Sequence, residues 1–286
     1  MQVKEMEPLC AHTTFRIGGP AAYYLVPECA EEVREGIAFA NERKLPFVTI
    51  GRGSNILFSD KGYDGVVIEV GRGMERIEVL DDGMIRADAG AGIGALAAAA
   101  ARESLGGLEF ASGIPGTLGG AVTMNAGAYG GEIKDCIVSA AVLDADGAVQ
   151  RLKKDQLDLG YRSSVIQKKG YIVLNAVFQM QEGEKETILQ RMREMNESRR
   201  QKQPLEYPSA GSTFKRPEGH FAGKLIEEAG LRGYRIGDAQ VSEKHCGFVI
   251  NRGHATAAQG LELIGHVQEK VFQVSGIKLE PEVKII

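Results

Sequence analysis

Residues 113–131 read GIPGTLGGAVTMNAGAYGG, seven glycines in 19 positions with no charged side chain among them. A stretch this rich in glycine makes a poor core helix, and one this apolar makes a poor linker. Its glycines let backbone amides approach a flat or phosphorylated ligand at places where a Cβ would collide. Asn125 adds a side-chain amide to that surface. An earlier loop, GRGSNIL at 51–57, follows the strand-like FVTI at 47–50 and presents further backbone N–H groups to an anion. Together the loops point to a nucleotide cofactor with a pyrophosphate, and a purely structural set of turns is the alternative. The earlier loop has only the first two glycines of a dinucleotide fingerprint and runs into LFSD instead of a helix, and no GxxxxGK[ST] occurs, so Rossmann and P-loop readings fail.

Outward from the loops, strands and helices alternate. Residues 21–26 read as a strand, 31–43 as an amphipathic helix and 47–50 as a second strand, with Pro27 and Pro46 at the junctions. Short strands over 66–89 turn at Asp82 and Gly83, an alanine-rich helix covers 93–103, and a β region over 137–152 turns at Asp146 and Gly147. A strand at 171–179 precedes a long polar helix, 184–202, whose apolar Ile188, Met192 and Met195 keep helical spacing. Thr256 and Gln259 form a capping box opening a helix with the stripe Leu261, Ile264, Val267, Val271 and Val274, closed by Gly276. The segment 282–286 is strand-like.

A length of 286 residues predicts two or three packed domains. Hydrophobic residues at 43% and charged residues at 25% are ordinary globular proportions, whereas 37 glycines stand well above the usual share of about 7%. With 34 basic and 38 acidic residues the net charge is −4, and no basic run tracks a phosphate backbone, so nucleic acid is excluded as the main partner. No apolar run is long enough to span a bilayer and no signal-like segment is found, so no membrane partner and a cytoplasmic location are expected. Cys10, Cys29, Cys136 and Cys246 lie far apart without metal-ligand spacing; reduced, mostly buried thiols and no metal are expected.

Three stretches, HTTFRIGGP at 12–20, GRGSNIL at 51–57 and GIPG through NAGAYG at 113–130, resemble the UDP-N-acetylenolpyruvoylglucosamine reductase family in order and spacing. The resemblance covers nearly the whole chain and implies an α+β fold. A FAD-binding domain of the vanillyl-alcohol-oxidase (PCMH) type is expected at 14–182, as two α/β subdomains dividing near residue 70. A smaller α/β substrate-binding domain follows at 183–286, its C-terminal strand returning to the active site. FAD, held tightly and non-covalently, is expected on Arg52, Gly53, Ser54, Asn55, Ile56, Leu57, Gly113, Ile114, Pro115, Gly116, Gly119, Gly120, Ala121, Asn125, Ala126, Gly127 and Tyr129. The resemblance further implies NADPH as hydride donor and UDP-N-acetylglucosamine enolpyruvate as substrate, reduced by a monomer in a ping-pong cycle that serves peptidoglycan synthesis.

A hydride added to an enol ether conjugated to a carboxylate leaves enolate charge, which needs a cation, a polar partner and a proton. Arg162, in YRSS at 161–164, matches the family's cation and would clamp the carboxylate through paired hydrogen bonds. Ser212, in PSAGSTFKRP at 208–217, matches the proton donor. Glu282, in LEPEVKII at 279–286, matches the glutamate beside the enolate, in preference to Glu280, which is read as solvated. Tyr161, Lys215, Lys224 and His245 match substrate-binding positions, with solvated lysines and a hydrogen-bonded core histidine as the alternatives. Arg216 stands where some relatives carry asparagine. Only 50 positions separate Arg162 from Ser212, as in a short form without the tyrosine-bearing lid that other relatives insert there. Two other functions stay open, a flavin oxidase on the same cofactor fold and a non-catalytic nucleotide sensor, which has no use for a proton donor at 212.

Overall fold

The computed structural model describes all residues from 1 to 286. They form two compact units, each assembled from separated stretches. The first comprises Met1–Lys4, Tyr23–Arg52 and Gly65–Arg199, the second Glu5–Ala22, Gly53–Asp64 and Arg200–Ile286. Helices and sheets are mixed in both, as the α+β expectation requires. The division expected at 182/183 precedes the helix Lys185–Lys202, whereas the compact units divide between Arg199 and Arg200.

In the first unit, strand Phe47–Ile50 pairs in parallel with Tyr63–Glu69. Helix Ala30–Glu42 buries Val33, Ile37 and Ala40, one stripe at spacings of four and three. A second sheet of five strands runs antiparallel in the order Val149–Lys153, Ile137–Leu143, Ile172–Gln179, Met84–Asp88, Ile77–Val79. Its inward residues, among them Ile85, Ala87, Val142, Ala176 and Phe178, are fully buried. The short helix Leu118–Thr123 lies against the end of that sheet: Leu118 N–H donates to Ala91 O and Gly119 N–H to Ala89 O, both at 2.8 Å. A Cβ on Gly119 would stand 3.2 Å from the Cβ of Ala89, so glycine allows the approach that places the 113–131 loop. Ile188 on the long polar helix is buried, with Met192 and Met195 half-buried on the same core, as their spacing predicts.

The second unit packs helices Ala222–Glu228 and Ala257–Ser275 on a three-stranded antiparallel sheet, Arg235–Ile236, Ala239–Val241 and Val249–Asn251. The core includes Phe15, Ile17, Leu57, Phe214, Ile226, Leu263, Val267 and Val271. Lys284–Ile285 pairs in parallel with Ile56–Leu57. The capping box of Thr256 and Gln259 forms, and Gly276 closes the helix at φ +73. Its buried stripe departs from the expected one. Leu263 is buried in place of Leu261, which lies about 240° around the helix from Val267 at about 100° per residue, and Val274 in the last turn is 57% exposed. Of the cysteines only Cys136 and Cys246 are buried, and none is in a disulfide.

The start of this helix has a further cap that sequence reading misses, because it comes from residue 60. The carboxylate of Asp60 accepts from Ala257 N–H at 2.6 Å and Ala258 N–H at 2.8 Å. Those are two of the four amides a helix leaves unpaired at its start, and the helix dipole adds to the attraction. Asp60→Ala is expected to cost about 1–2 kcal/mol and lower the melting temperature by roughly 2–6 °C, with Asp60→Asn recovering part of the loss. Calorimetric melts of the three proteins check this; an unchanged Asp60→Ala melt would remove the cap from the account.

Candidate active site

In the first unit, the glycines of 113–131 serve different purposes. A Cβ on Gly113 would meet Asn196 Oδ1 at 2.4 Å, and one on Gly127 would meet Glu132 Cγ at 2.7 Å. A Cβ on Gly51 would meet Thr117 Oγ1 at 2.2 Å, joining the end of the first-unit strand to the start of the short helix. These three admit protein atoms. Gly120 differs: it is exposed, and a Cβ there would meet nothing closer than Thr117 Oγ1 at 3.8 Å, so its backbone faces open space. Pro115 is exposed and Ile114 and Gly116 are half-buried, while Ala121 is buried and Ala126 half-buried. The guanidinium of Arg52 lies over Gly92.

Two polar groups beside this loop have no partner in the protein. The hydroxyl of Ser112 is buried without a hydrogen bond. Arg199 makes no hydrogen bond or ion pair and packs its Cδ 3.1 Å from the space a Gly113 Cβ would take, and burial holds its pKa below the usual value. A buried hydroxyl and a half-buried cation left unpaired are costly unless a ligand supplies acceptors. These residues, with the open backbone at Gly120, fit a flat, anionic, acceptor-rich group such as FAD. Neither Ser112 nor Arg199 is among the expected contacts. Ser112 stands one position before the glycine motif, and Arg199 is one of many charges on a polar helix, so neither carries a pattern of its own.

Asn125 is fully buried at φ +42, and its side chain is directed to protein. Its Nδ2 donates to Glu132 Oε2 and to Gly160 O, both at 2.9 Å, and its Oδ1 accepts from Lys134 N–H at 2.9 Å. Gly160 and Ser163 close a tight turn by exchanging backbone hydrogen bonds, with Tyr161 and Arg162 at its centre. Arg162 sits at φ +53, a conformation that favours glycine, its Nη2 donates to Gly127 O at 3.3 Å, and its guanidinium carbon is 5.1 Å from the half-exposed Tyr161 ring. Tyr129, at φ +53, donates its hydroxyl to Met195 O at 2.9 Å. Three non-glycine residues with positive φ in two touching turns is a concentration of backbone strain of the kind found where function requires it. Ser164, buried, ties the turn down: its Oγ donates to Thr123 O at 2.7 Å and caps helix Val165–Lys169.

In the second unit, residues 208–215 run beside 279–283. Glu282 N–H donates to Thr213 O at 2.8 Å, Lys215 N–H donates to Glu280 O at 2.9 Å, and Phe214 bridges Pro281. The register sets Thr213, the residue after Ser212, across from Glu282. Ser212 is exposed, follows Gly211 at φ +74, and its hydroxyl has no protein partner. Asn55 bonds the same strand twice, its Nδ2 donating to Glu282 O at 3.1 Å and its O accepting from Lys284 N–H at 2.9 Å. Thus Asn55, expected on the cofactor, anchors the strand that carries Glu282. Ile56 and Leu57 bury their side chains and present only backbone, and Gly53, φ +58, sits 2.3 Å by its virtual Cβ from His12 O. Ser54 is half-buried. The HTTFRIGGP stretch is scaffold for this arrangement: Thr14 Oγ1 donates to Ser209 O at 2.7 Å, and Phe15 O accepts from Asn251.

Lys215 pairs with Glu280 at 3.1 Å, whose side chain is 73% exposed, and Lys224 pairs with Glu228 at 3.6 Å on the helix surface. His245 accepts from Gly247 N–H at its Nδ1, which puts its proton on Nε2, and packs edge-on to Phe248 at 5.0 Å. Burial depresses its pKa and keeps the ring neutral at pH 7.

Comparison with known proteins agrees with these features. Residues 203–286 match the model of the UDP-N-acetylenolpyruvoylglucosamine reductase C-terminal domain, and residues 21–153 that of a FAD binding domain. The chain is 56% identical to the UDP-N-acetylenolpyruvoylglucosamine reductase of Agathobacter rectalis, over 98% of this chain and 92% of that protein. It is also 56% identical to that of Lachnoclostridium phytofermentans, over 98% and 91%. The crystal structure of the reductase from Thermus caldophilus superposes with a TM-score of 0.85 at 36% identity, covering 99% of this chain and 98% of that one. A berberine-bridge-enzyme-like protein of Physcomitrella patens shares the fold alone, at TM-score 0.52 and 18% identity over 63% of this chain and 42% of that one. With full-length relatives at this identity and a serine motif set in register beside Glu282, the chain belongs to the UDP-N-acetylenolpyruvoylglucosamine reductase family.

Proposed function

We propose that the protein reduces UDP-N-acetylglucosamine enolpyruvate to UDP-N-acetylmuramate at the expense of NADPH, as a cytoplasmic monomer. The observation that carries the reading is the register of 212–215 against 280–283, which runs the serine motif alongside the strand that bears Glu282 in a chain of this family. When bound, FAD supplies the means of taking a hydride from NADPH and delivering it to the enolpyruvyl double bond. Ser112 and the open backbone at Gly120 hold it within a FAD-binding part at 14–182 that divides near residue 70, and Arg199, on the helix that follows that part, adds a cation. The substrate part is 183–286. Arg162 grips the substrate carboxylate with two charge-assisted hydrogen bonds and opposes the charge that grows there. Glu282 hydrogen-bonds the same enolate, and Ser212 gives its proton to the carbon next to the carboxylate. Hydride and proton together saturate the double bond, NADPH is oxidised, and solvent restores the serine proton. Tyr161, Lys215, Lys224 and His245 are assigned to the UDP-sugar, the lysines by exchanging their carboxylate partners for phosphate.

An anaerobic absorbance trace tests this. NADPH is expected to bleach the oxidised flavin band of the purified protein, and the enolpyruvyl sugar, added second, to restore it. Bleaching that only oxygen reverses would replace the reductase by an oxidase, and a protein that holds no flavin would overturn the proposal.

A further inference from the structure

We propose that Glu132 is a positioning residue for Arg162, acting through the side-chain amide of Asn125; the proposal rests on the reading of Arg162 as the carboxylate clamp. An asparagine amide has two nearly equivalent orientations, and only one of them gives Gly160 O a donor. Glu132 selects it. With its carboxylate 2.9 Å from Asn125 Nδ2, the flipped amide would set Oδ1 against two acceptors, Glu132 and Gly160 O, and lose the Lys134 N–H that Oδ1 accepts. The selected amide fixes Gly160 O, the first residue of the turn whose third is Arg162. From the other side, Arg162 Nη2 donates to Gly127 O, and Gly127 is the cross-strand partner of Glu132. A Cβ at Gly127 would stand 2.7 Å from Glu132 Cγ, so this glycine is the gap through which the glutamate reaches the amide.

The charges bear on the same point. Lys134 Nζ is 2.7 Å from Glu132 Oε2, and this contact, with the Asn125 bond and the Arg162 field, holds the carboxyl below its usual range and therefore ionised at working pH. The pairing with Lys134 offsets the negative charge of Glu132, and the bond to Gly127 O steadies the Arg162 guanidinium from the backbone. Glu132 itself touches neither substrate nor reacting atoms in this scheme. Its loss should therefore appear as a misplaced clamp.

The test is a double-mutant cycle on the holoenzyme with Glu132→Ala, Glu132→Gln and Arg162→Ala. Three quantities are read: the calorimetric Kd of UDP-N-acetylglucosamine enolpyruvate on oxidised enzyme, the rate at which that sugar restores the flavin band, and the rate of bleaching by NADPH. Glu132→Ala is expected to weaken substrate binding and slow restoration, together by about tenfold to a hundredfold, with NADPH bleaching unchanged. Glu132→Gln, which keeps an acceptor for Asn125, should recover most of the loss. On the Arg162→Ala background, Glu132→Ala should add less than about twofold. An undiminished effect on that background, equal slowing of both half-reactions, or wild-type behaviour of Glu132→Ala would each overturn the proposal. If Arg162→Ala itself left restoration intact, the clamp reading would fall first and this inference with it.

Discussion

Ser212→Ala is expected to bleach with NADPH at the wild-type rate, within about twofold, and to be reoxidised by the enolpyruvyl sugar roughly 10²–10⁴ times more slowly. The size follows from what a positioned proton donor contributes when an enolate is quenched. The asymmetry follows from chemistry, since transfer from NADPH to flavin needs no proton on the substrate carbon. The structure makes this substitution unusually clean. Ser212 is exposed and its hydroxyl bonds nothing in the protein, while the register with Glu282 is held by the backbone of Thr213, Phe214 and Lys215. Alanine keeps that backbone, so the melting temperature should not move. Stopped-flow absorbance separates the half-reactions, and a melt controls for folding. Equal loss in both half-reactions, or none in either, would remove Ser212 from the proton-donor role and reopen the sensor reading.

What could be read from the sequence, and what could not, divides along the range of the interactions. The capping box at Thr256 was legible because both partners lie within one helical turn, and the Gly276 stop for the same reason. The glycine loops were legible as places where backbone must come close to something. What approaches them was not, because Asn196 beside Gly113 and Thr117 beside Gly51 are about 65 to 85 positions away, beyond the reach of any local pattern. The make-up of the units shows the same limit. Phe15, Ile17 and Leu57 pack with a core otherwise drawn from residues after 209, and hydrophobic periodicity reports which face of a strand is buried without saying against what. Asn125 illustrates the limit at a single residue. Its amide suggested a hand for the ligand, whereas its positive φ and three protein partners make it the tie between two strained turns.

Arg162→Gly should separate stability from activity most sharply. At φ +53 in the third place of its turn, arginine is held where glycine is at ease, at a cost of about 1–2 kcal/mol. Glycine removes that strain and adds about the same freedom to the unfolded chain, and the side-chain bond to Gly127 O that it forfeits is long at 3.3 Å. These opposing effects nearly cancel, so the melt is expected to shift by no more than about 2–3 °C. Activity has no such cancellation. Two charge-assisted bonds to the carboxylate, at about 1.5–3 kcal/mol each, correspond to a fall of roughly 10²–10⁴ in kcat/KM for the enolpyruvyl sugar, with NADPH bleaching kept. Arg162→Lys retains the charge but lacks the paired geometry and keeps the strain, so it should fall between wild type and glycine in rate while melting no higher than either. A glycine variant that melts far below wild type would show that the arginine holds the turn together. One that melts normally and loses substrate-driven reoxidation would show that the turn is held in a strained form for the sake of the guanidinium it presents.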